Sequence, residues 1–177
     1  MTPSGAATPT RDAARSAAWD NSQRLVSIRE LKPSEVAYVD QLLPLSRLTE
    51  QAGAAGKAST YLIAWDGREP VGHTHIAWAR THLAIPEIQD VFVLPDRRRQ
   101  GIASQLTQAA EVEARQRGWE SISLSVSQEG DEFARRLYAK LGYVEAPTAP
   151  VRVSGVIVLR GQSVEVDDTL VYLTKRL

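Results

Sequence analysis

The residues best placed to do chemistry run Val91-Phe92-Val93-Leu94-Pro95-Asp96-Arg97-Arg98-Arg99-Gln100-Gly101-Ile102-Ala103. An apolar run passes into a basic turn, and the turn passes into a stretch with helical periodicity. The first amides of a helix have no intrahelical acceptor and lie at the positive end of its dipole, so such a junction attracts an anion. Gly101 lets the backbone approach a ligand closely, and Ala103 keeps the first turn uncrowded. Arg97, Arg98 and Arg99 add charge suited to phosphate. The Gly-x-x-x-x-Gly-Lys spacing of a nucleotide P-loop occurs nowhere in the chain. The plainer alternative is an exposed basic turn ahead of an ordinary helix.

The histidines are His73, His75 and His82. His73 and His75 are two apart in a β-rich run and therefore share a face. Two imidazoles can begin a metal site, but no third ligand is suitably spaced, so the expectation is a solvent-facing or partly packed pair and no metal. There is no cysteine, which excludes disulfides, thiolate nucleophiles and Cys-ligated zinc. Lys and Arg number 21 against 21 Asp and Glu, and aromatic residues make up 6%. Such a chain has neither the net charge nor the stacking rings of a general nucleic-acid binder, nor the charge of an anionic-membrane binder. No apolar run approaches the length of a membrane span.

Those residues need a scaffold, and 177 residues, 43% of them hydrophobic, suit one domain with one core. Residues 1–23 are rich in Ala, Thr, Ser and Pro and read as a disordered tail, leaving 24–177 as the domain. Arg11 and Arg15 lend the tail a faint transit-peptide character, but a cytoplasmic protein with a plain extension is the expectation. Leu25–Arg29 alternates as a short strand, and Pro33-Ser34-Glu35 opens a helix carrying Val36, Val39, Leu42 and Leu43. Tyr61–Trp65 and Val71–Trp78 flank Asp66-Gly67, a strong hairpin signal. Strands follow at Glu87–Leu94 and Ser121–Val126, with a helix between them over Ile102–Arg117 that Gly118 stops. A second helix spans Asp131–Leu141, and two more strands, Val151–Leu159 and Val164–Leu173, close the chain. The order β-α-ββ-β-α-β-α-ββ predicts a mixed α/β layer with helices covering a central sheet.

At Arg98-Arg99-Gln100-Gly101-Ile102-Ala103 the sequence resembles the GNAT superfamily of acyl-coenzyme-A-dependent N-acyltransferases, whose signature is Arg/Gln-x-x-Gly-x-Gly/Ala after a strand. Ala134-Arg135-Arg136-Leu137-Tyr138-Ala139-Lys140-Leu141-Gly142-Tyr143 is similar to the family's second motif, and the hairpin and the Ser121–Val126 strand fall in the matching order. The resemblance spans about residues 25–177. It implies a sheet of six to seven strands with helices on both faces and two splayed central parallel strands, with acetyl-CoA held between those two. The pyrophosphate is then expected on the amides of Gln100, Gly101, Ile102, Ala103 and Ser104, beside Arg98 and Arg99. The pantetheine arm is expected along Val91, Phe92 and Val93. Asp131 and Arg135 are expected nearby, although many relatives carry Asn at position 131, and a carboxylate cannot donate as an amide does.

The same resemblance implies direct attack by an amine on the thioester, without a covalent enzyme intermediate. Tyr138 stands at the motif tyrosine, where a phenol donates to the departing thiolate. Glu87, eleven residues before Arg98, stands where some relatives carry a catalytic base. Asp90, three residues on, is expected on the opposite face of the strand. His73 and His75 border the acceptor side and are candidates for substrate contact. The acceptor is set by loops at Pro44–Ser59, Arg80–Pro86 and Ala146–Val153; a small primary amine is expected, with a protein or peptide amine or an aminoglycoside-like antibiotic as alternatives. A non-catalytic acyl-CoA-binding module is the competing class. In relatives, pairing of the terminal strands makes a homodimer, and the same is expected here.

Overall fold

The computed structural model describes residues 26–43, 58–159 and 162–177. The expected tail over 1–23, positions 44–57 of the first acceptor loop and the turn at 160–161 lie outside the described residues. The strands are β1 (Ser27–Glu30), β2 (Ser59–Asp66), β3 (Glu69–Ala77), β4 (Glu87–Val93), β5 (Ser121–Ser127), β6 (Val144–Glu145), β7 (Val151–Leu159) and β8 (Gln162–Arg176). The helices are α1 (Val36–Leu42), α2 (Ile102–Gln116) and α3 (Glu132–Lys140). A 3-10 turn at Pro33–Glu35 leads into α1, with the Glu35 side chain held by Arg29 at 2.7 Å. Among the described residues no helix is long and apolar enough to cross a membrane.

The strands form one sheet in the order β1-β2-β3-β4-β5-β8-β6, with β7 paired to β8. The described residues thus hold eight strands where six to seven were expected. The addition is β6, whose two residues are too few to show any periodicity, yet they pair with Thr174 and Leu173. Among the described residues only β4 and β5 run parallel, as the intervening helix α2 requires of a crossover.

Alternation along each strand sorts the sheet into two faces. Leu62, Ile76, Ile88 and Leu124 share one face and pack with Ala110, Ala114 and Tyr138 of α2 and α3. Tyr61 and Ile63 share the other and pack with Val39 of α1 and with Leu43. Helices thus cover both faces, as the sequence leads one to expect. Gly72 belongs to the α2 face because nothing larger fits: an added Cβ would lie 2.7 Å from the Phe92 carbonyl oxygen and 3.3 Å from Leu106 Cδ1. Helix α2 is further tied to the sheet by an ion pair between Lys175 of β8 and the buried Glu111, at 2.7 Å.

Candidate functional site

The parallel pair is short. Glu87 registers with Ser123 and Ile88 with Leu124, and no further pair is formed. Ser123 locks the junction, donating to the Pro86 carbonyl from its amide (2.8 Å) and its hydroxyl (3.0 Å). Beyond that point β4 leaves its neighbour. Opposite β3 the register steps from His75↔Gln89 to His73↔Phe92, so three steps on β4 are matched by two on β3. The irregularity centres on Asp90, which sits at φ +48°. A bulge of this kind bends its strand and increases its twist, and here it opens a cleft between the C-terminal halves of β4 and β5. It also interrupts the strict alternation that would have placed Asp90 opposite to Glu87.

At the end of β4 the chain turns through Pro95–Arg97 into α2. Arg99 (φ +65°) and Gly101 (φ +78°) are both left-handed, with Gly101 at the N-cap. The first helical hydrogen bond runs from the Gln105 amide to the Gly101 carbonyl at 3.0 Å. Among the described residues no acceptor takes the amides of Gly101, Ile102, Ala103 or Ser104. The space above them is open, since the nearest atom to a Cβ built on Gly101 is Gln105 Nε2 at 4.0 Å. Open space and unused donors at a positive dipole end fit a diphosphate. Gln100 is exposed beside this turn.

The basic residues of the turn divide their work. Arg97 is bound to the hairpin carboxylates, Asp66 at 2.8 Å and Glu69 at 3.0 Å, so it braces the turn where phosphate contact was expected. Arg98 bends back so that its Nε donates to the Val93 carbonyl at 3.1 Å, which still leaves the guanidinium end at the surface. Arg99 is exposed. Along β4, Val91 packs toward α2, Phe92 toward the α1 side, and Val93 is buried.

On the other lip, Asp131 caps α3 by accepting from the Ala134 amide at 3.2 Å. Arg135 donates to the carbonyls of Ser127 (3.0 Å) and Gln128 (3.3 Å), shaping the turn that follows β5. Tyr138 is 8% exposed and its ring meets Tyr143 edge to face at 5.7 Å. Burial, followed by the Asp131 carboxylate, pushes its phenol up to about 12. Its hydroxyl has no hydrogen-bond partner among the described residues and is not sealed in the core, so it is a free donor at neutral pH.

Glu87 is 6% exposed, at the base of the cleft. His73 (0%) and His75 (3%) are interior residues, which corrects the expectation of a solvent-facing or partly packed pair. The cause is their shared face: it lies under α1, with His73 stacked on Phe92 at 5.5 Å and His75 against Tyr61 at 4.8 Å. His75 Nδ1 is 3.2 Å from Gln89 Oε1. Among the described residues no three His, Asp or Glu side chains gather as metal ligands would.

Two features go beyond what the sequence was read to imply. The alternation of Ser121–Val126 marks the strand, but it also sorts Ser121, Ser123, Ser125 and Ser127 against Ile122, Leu124 and Val126, so one side of β5 is apolar and the other a row of small polar groups. That signal was present in the sequence. The second, His82 stacked on Tyr172 at 4.6 Å, had no local signal, because it depends on the pairing of β8 with β5.

The profile of the Acetyltransferase (GNAT) family matches residues 25–143. Curated protein sequences give no match. Among solved structures, the chain is similar to a GNAT acetyltransferase of Elizabethkingia anophelis with acetyl-CoA bound (18% identity, TM-score 0.62, 90% of this chain and 100% of that one). It is also similar to the ribosomal-protein-S18-alanine N-acetyltransferase of Escherichia coli (16%, 0.63, 86% and 94%). A third similar structure is spermidine/spermine N-acetyltransferase of Vibrio cholerae (15%, 0.64, 87% and 94%). At these identities the likeness speaks to the fold.

Proposed function

The chain belongs to the GNAT acetyltransferase family, whose acyl donor is acetyl-CoA, and from that premise we propose that it acetylates the primary amine of a small molecule. The observation that carries this reading is the cleft itself: strands that part immediately after Glu87 and Ser123, with unused amides at one mouth. Gly101, Ile102, Ala103 and Ser104, with Gln100, Arg98 and Arg99 beside them, would hold the diphosphate. The opened edge of β4 at Val91–Val93 would pair with the amide-bearing arm. Asp131 and Arg135 serve by shaping the lip, as their hydrogen bonds support.

Bound acetyl-CoA supplies a thioester whose carbonyl carbon is open to a neutral amine. Glu87 takes one proton from the acceptor's ammonium and passes it to solvent, which frees the nitrogen lone pair. As the C–N bond forms and the C–S bond breaks, Tyr138 donates a hydrogen bond from its O–H to the departing sulfur and keeps its proton. The second nitrogen proton passes to water as the amide forms, the thiolate takes one proton from water, and the net products are the acetamide, the thiol and one proton. Two groups with unlike environments, a carboxylate and a phenol held protonated, suit these two tasks.

A mass-detected acetyl-transfer screen over metabolite amines, aminoglycosides and peptides tests the reading. Transfer to small amines is expected. Turnover confined to peptides or aminoglycosides would overturn the small-molecule assignment, and acetyl-CoA binding without any transfer would favour the non-catalytic module. The β7–β8 hairpin supports a homodimer, since β7 pairs only with β8 among the described residues and Val156 and Val164 are exposed. Sedimentation velocity decides it, and a monomer at micromolar concentration would refute it.

A further inference from the structure

On the face of the sheet that carries Glu87, Tyr172 lies beside the point where β4 and β5 part and is capped by His82, and neither has a role in the chemistry above. Register places Tyr172 there. Glu87 lies opposite Ser123, Ser123 opposite Thr174, and Ser125 opposite Tyr172, so all these side chains project from one face. Tyr172 lies two residues from Thr174, displaced in the direction in which β4 and β5 separate. Its backbone is held on both sides, by β5 and by the Ala146 amide, which donates to the Tyr172 carbonyl at 2.9 Å. Its ring is 9% exposed, yet its hydroxyl has no hydrogen-bond partner among the described residues and is not sealed in the core. His82, itself exposed, lies nearly parallel over that ring at 4.6 Å with an interplanar angle of 26°. The loop bearing His82 is tied across its base, Thr81 Oγ1 donating to the Ile85 carbonyl at 2.6 Å, and Arg80 (φ +60°) and Ala84 (φ +56°) are both left-handed.

A phenol held on both flanks, capped by a second ring and left with a free hydroxyl beside a buried carboxylate is a built feature rather than a packing accident. We propose that Tyr172 is a positioning residue of the acceptor half of the site: its hydroxyl binds the acceptor nitrogen within reach of Glu87, and His82 clamps the Tyr172 ring and closes that side to water. Burial and the Glu87 carboxylate raise the Tyr172 phenol, which keeps it protonated and able to donate or accept at neutral pH. The stack works through shape and planarity, so another aromatic ring at position 82 should preserve it. This inference rests on the acetyltransferase reading and on Glu87 as its base.

The test compares Tyr172→Phe, His82→Ala and His82→Phe, using the amine with the highest turnover in the screen. Tyr172→Phe loses one hydrogen bond to the acceptor, so kcat/KM for the amine should fall about tenfold, chiefly through KM. The acetyl-CoA Kd by calorimetry and the unfolding midpoint should stay the same. His82→Ala should reproduce part of that loss and His82→Phe should restore it. Unchanged amine kinetics in both Tyr172→Phe and His82→Ala would overturn the proposal, as would an equal loss in acetyl-CoA affinity, which would mark a general structural defect. Failure of the wild type to acetylate any amine would count against the transferase reading alone. In that case the His82 ring-proton signals, followed by NMR while the same amines are added, decide the acceptor site: shifts uphold it and their absence refutes it.

Discussion

Replacing Tyr138 by Phe removes one oxygen and leaves a ring of the same shape against Tyr143, so the effect on rate can be separated from the effect on packing. Burial holds the Tyr138 phenol at about 12, whereas an ordinary thiol ionises near ~8.5. Complete proton transfer from this phenol to a departing thiolate would therefore run uphill by roughly 3.5 pK units, about 5 kcal/mol. A hydrogen bond to the developing charge, with the proton arriving afterwards from water, is the less costly route. Such a bond to a charged group contributes about 1.5–3 kcal/mol, so Tyr138→Phe should lower kcat by about 10- to 100-fold and leave the acetyl-CoA Kd within about twofold. Thiol release followed from pH 7 to pH 10 reads this directly. Because the phenol stays protonated until pH approaches 12, the wild-type rate should show no alkaline fall that Tyr138→Phe abolishes. A loss under twofold would make Tyr138 a packing residue. A loss beyond about 10³-fold with a break near pH 8–9 would make it a full acid and refute the energetic reasoning.

The same raised phenol predicts alkaline lability: its stabilisation is complete below pH 10 and fades as pH rises from 10 through 12, by up to roughly 2–3 kcal/mol. Urea unfolding at pH 9 and pH 11 should show a smaller drop for Tyr138→Phe than for wild type, and an equal drop would refute the assignment. Gly101→Glu fits the open space above the turn, at a left-handed cost of about 1–2 kcal/mol, but sets a carboxylate among the free amides. Acetyl-CoA affinity should fall more than about 100-fold by calorimetry, and an unchanged Kd would displace the diphosphate from this turn. Lys175→Met leaves Glu111 buried without its partner, costing about 3–5 kcal/mol, or roughly 6–20 °C in Tm for a chain of this size. A shift under 2 °C in a thermal melt would show that Glu111 is rehydrated.

What could be read from the sequence follows the range of the forces involved. The Asp66-Gly67 hairpin, the helix after Gly101 and its stop at Gly118 are set by local conformational preference, and all three appear where expected, with Gly67 and Gly118 at positive φ. The anion-binding turn was legible for the same reason. The partners of its arginines were not: Arg97 meets Asp66 and Glu69 only because the hairpin folds back beside the turn, some thirty residues away in sequence. His73 and His75 misled for a related reason. Spacing gives the shared face, but only the packing of α1 decides that this face is dry. Tyr172 and His82 needed the β5–β8 register, which depends on contacts made across the whole sheet.

The bulge at Asp90 shows how the two halves of the site depend on each other. A non-glycine residue at φ +48° carries strain on the order of 1–3 kcal/mol, and an unbroken β4 would avoid it. An unbroken β4 would also continue its pairing with β5 past Ile88, using the β4 edge hydrogen bonds internally. The strain is thus coupled to the parting of β4 from β5, which leaves the β4 edge without a strand partner on the donor side and sets Glu87 and Tyr172 beside the point of divergence on the acceptor side. A residue exchange at Asp90 that relaxed the strand would be expected to stabilise the fold and impair both substrates together. Changes at Gly101 or Tyr172 should each impair one substrate alone.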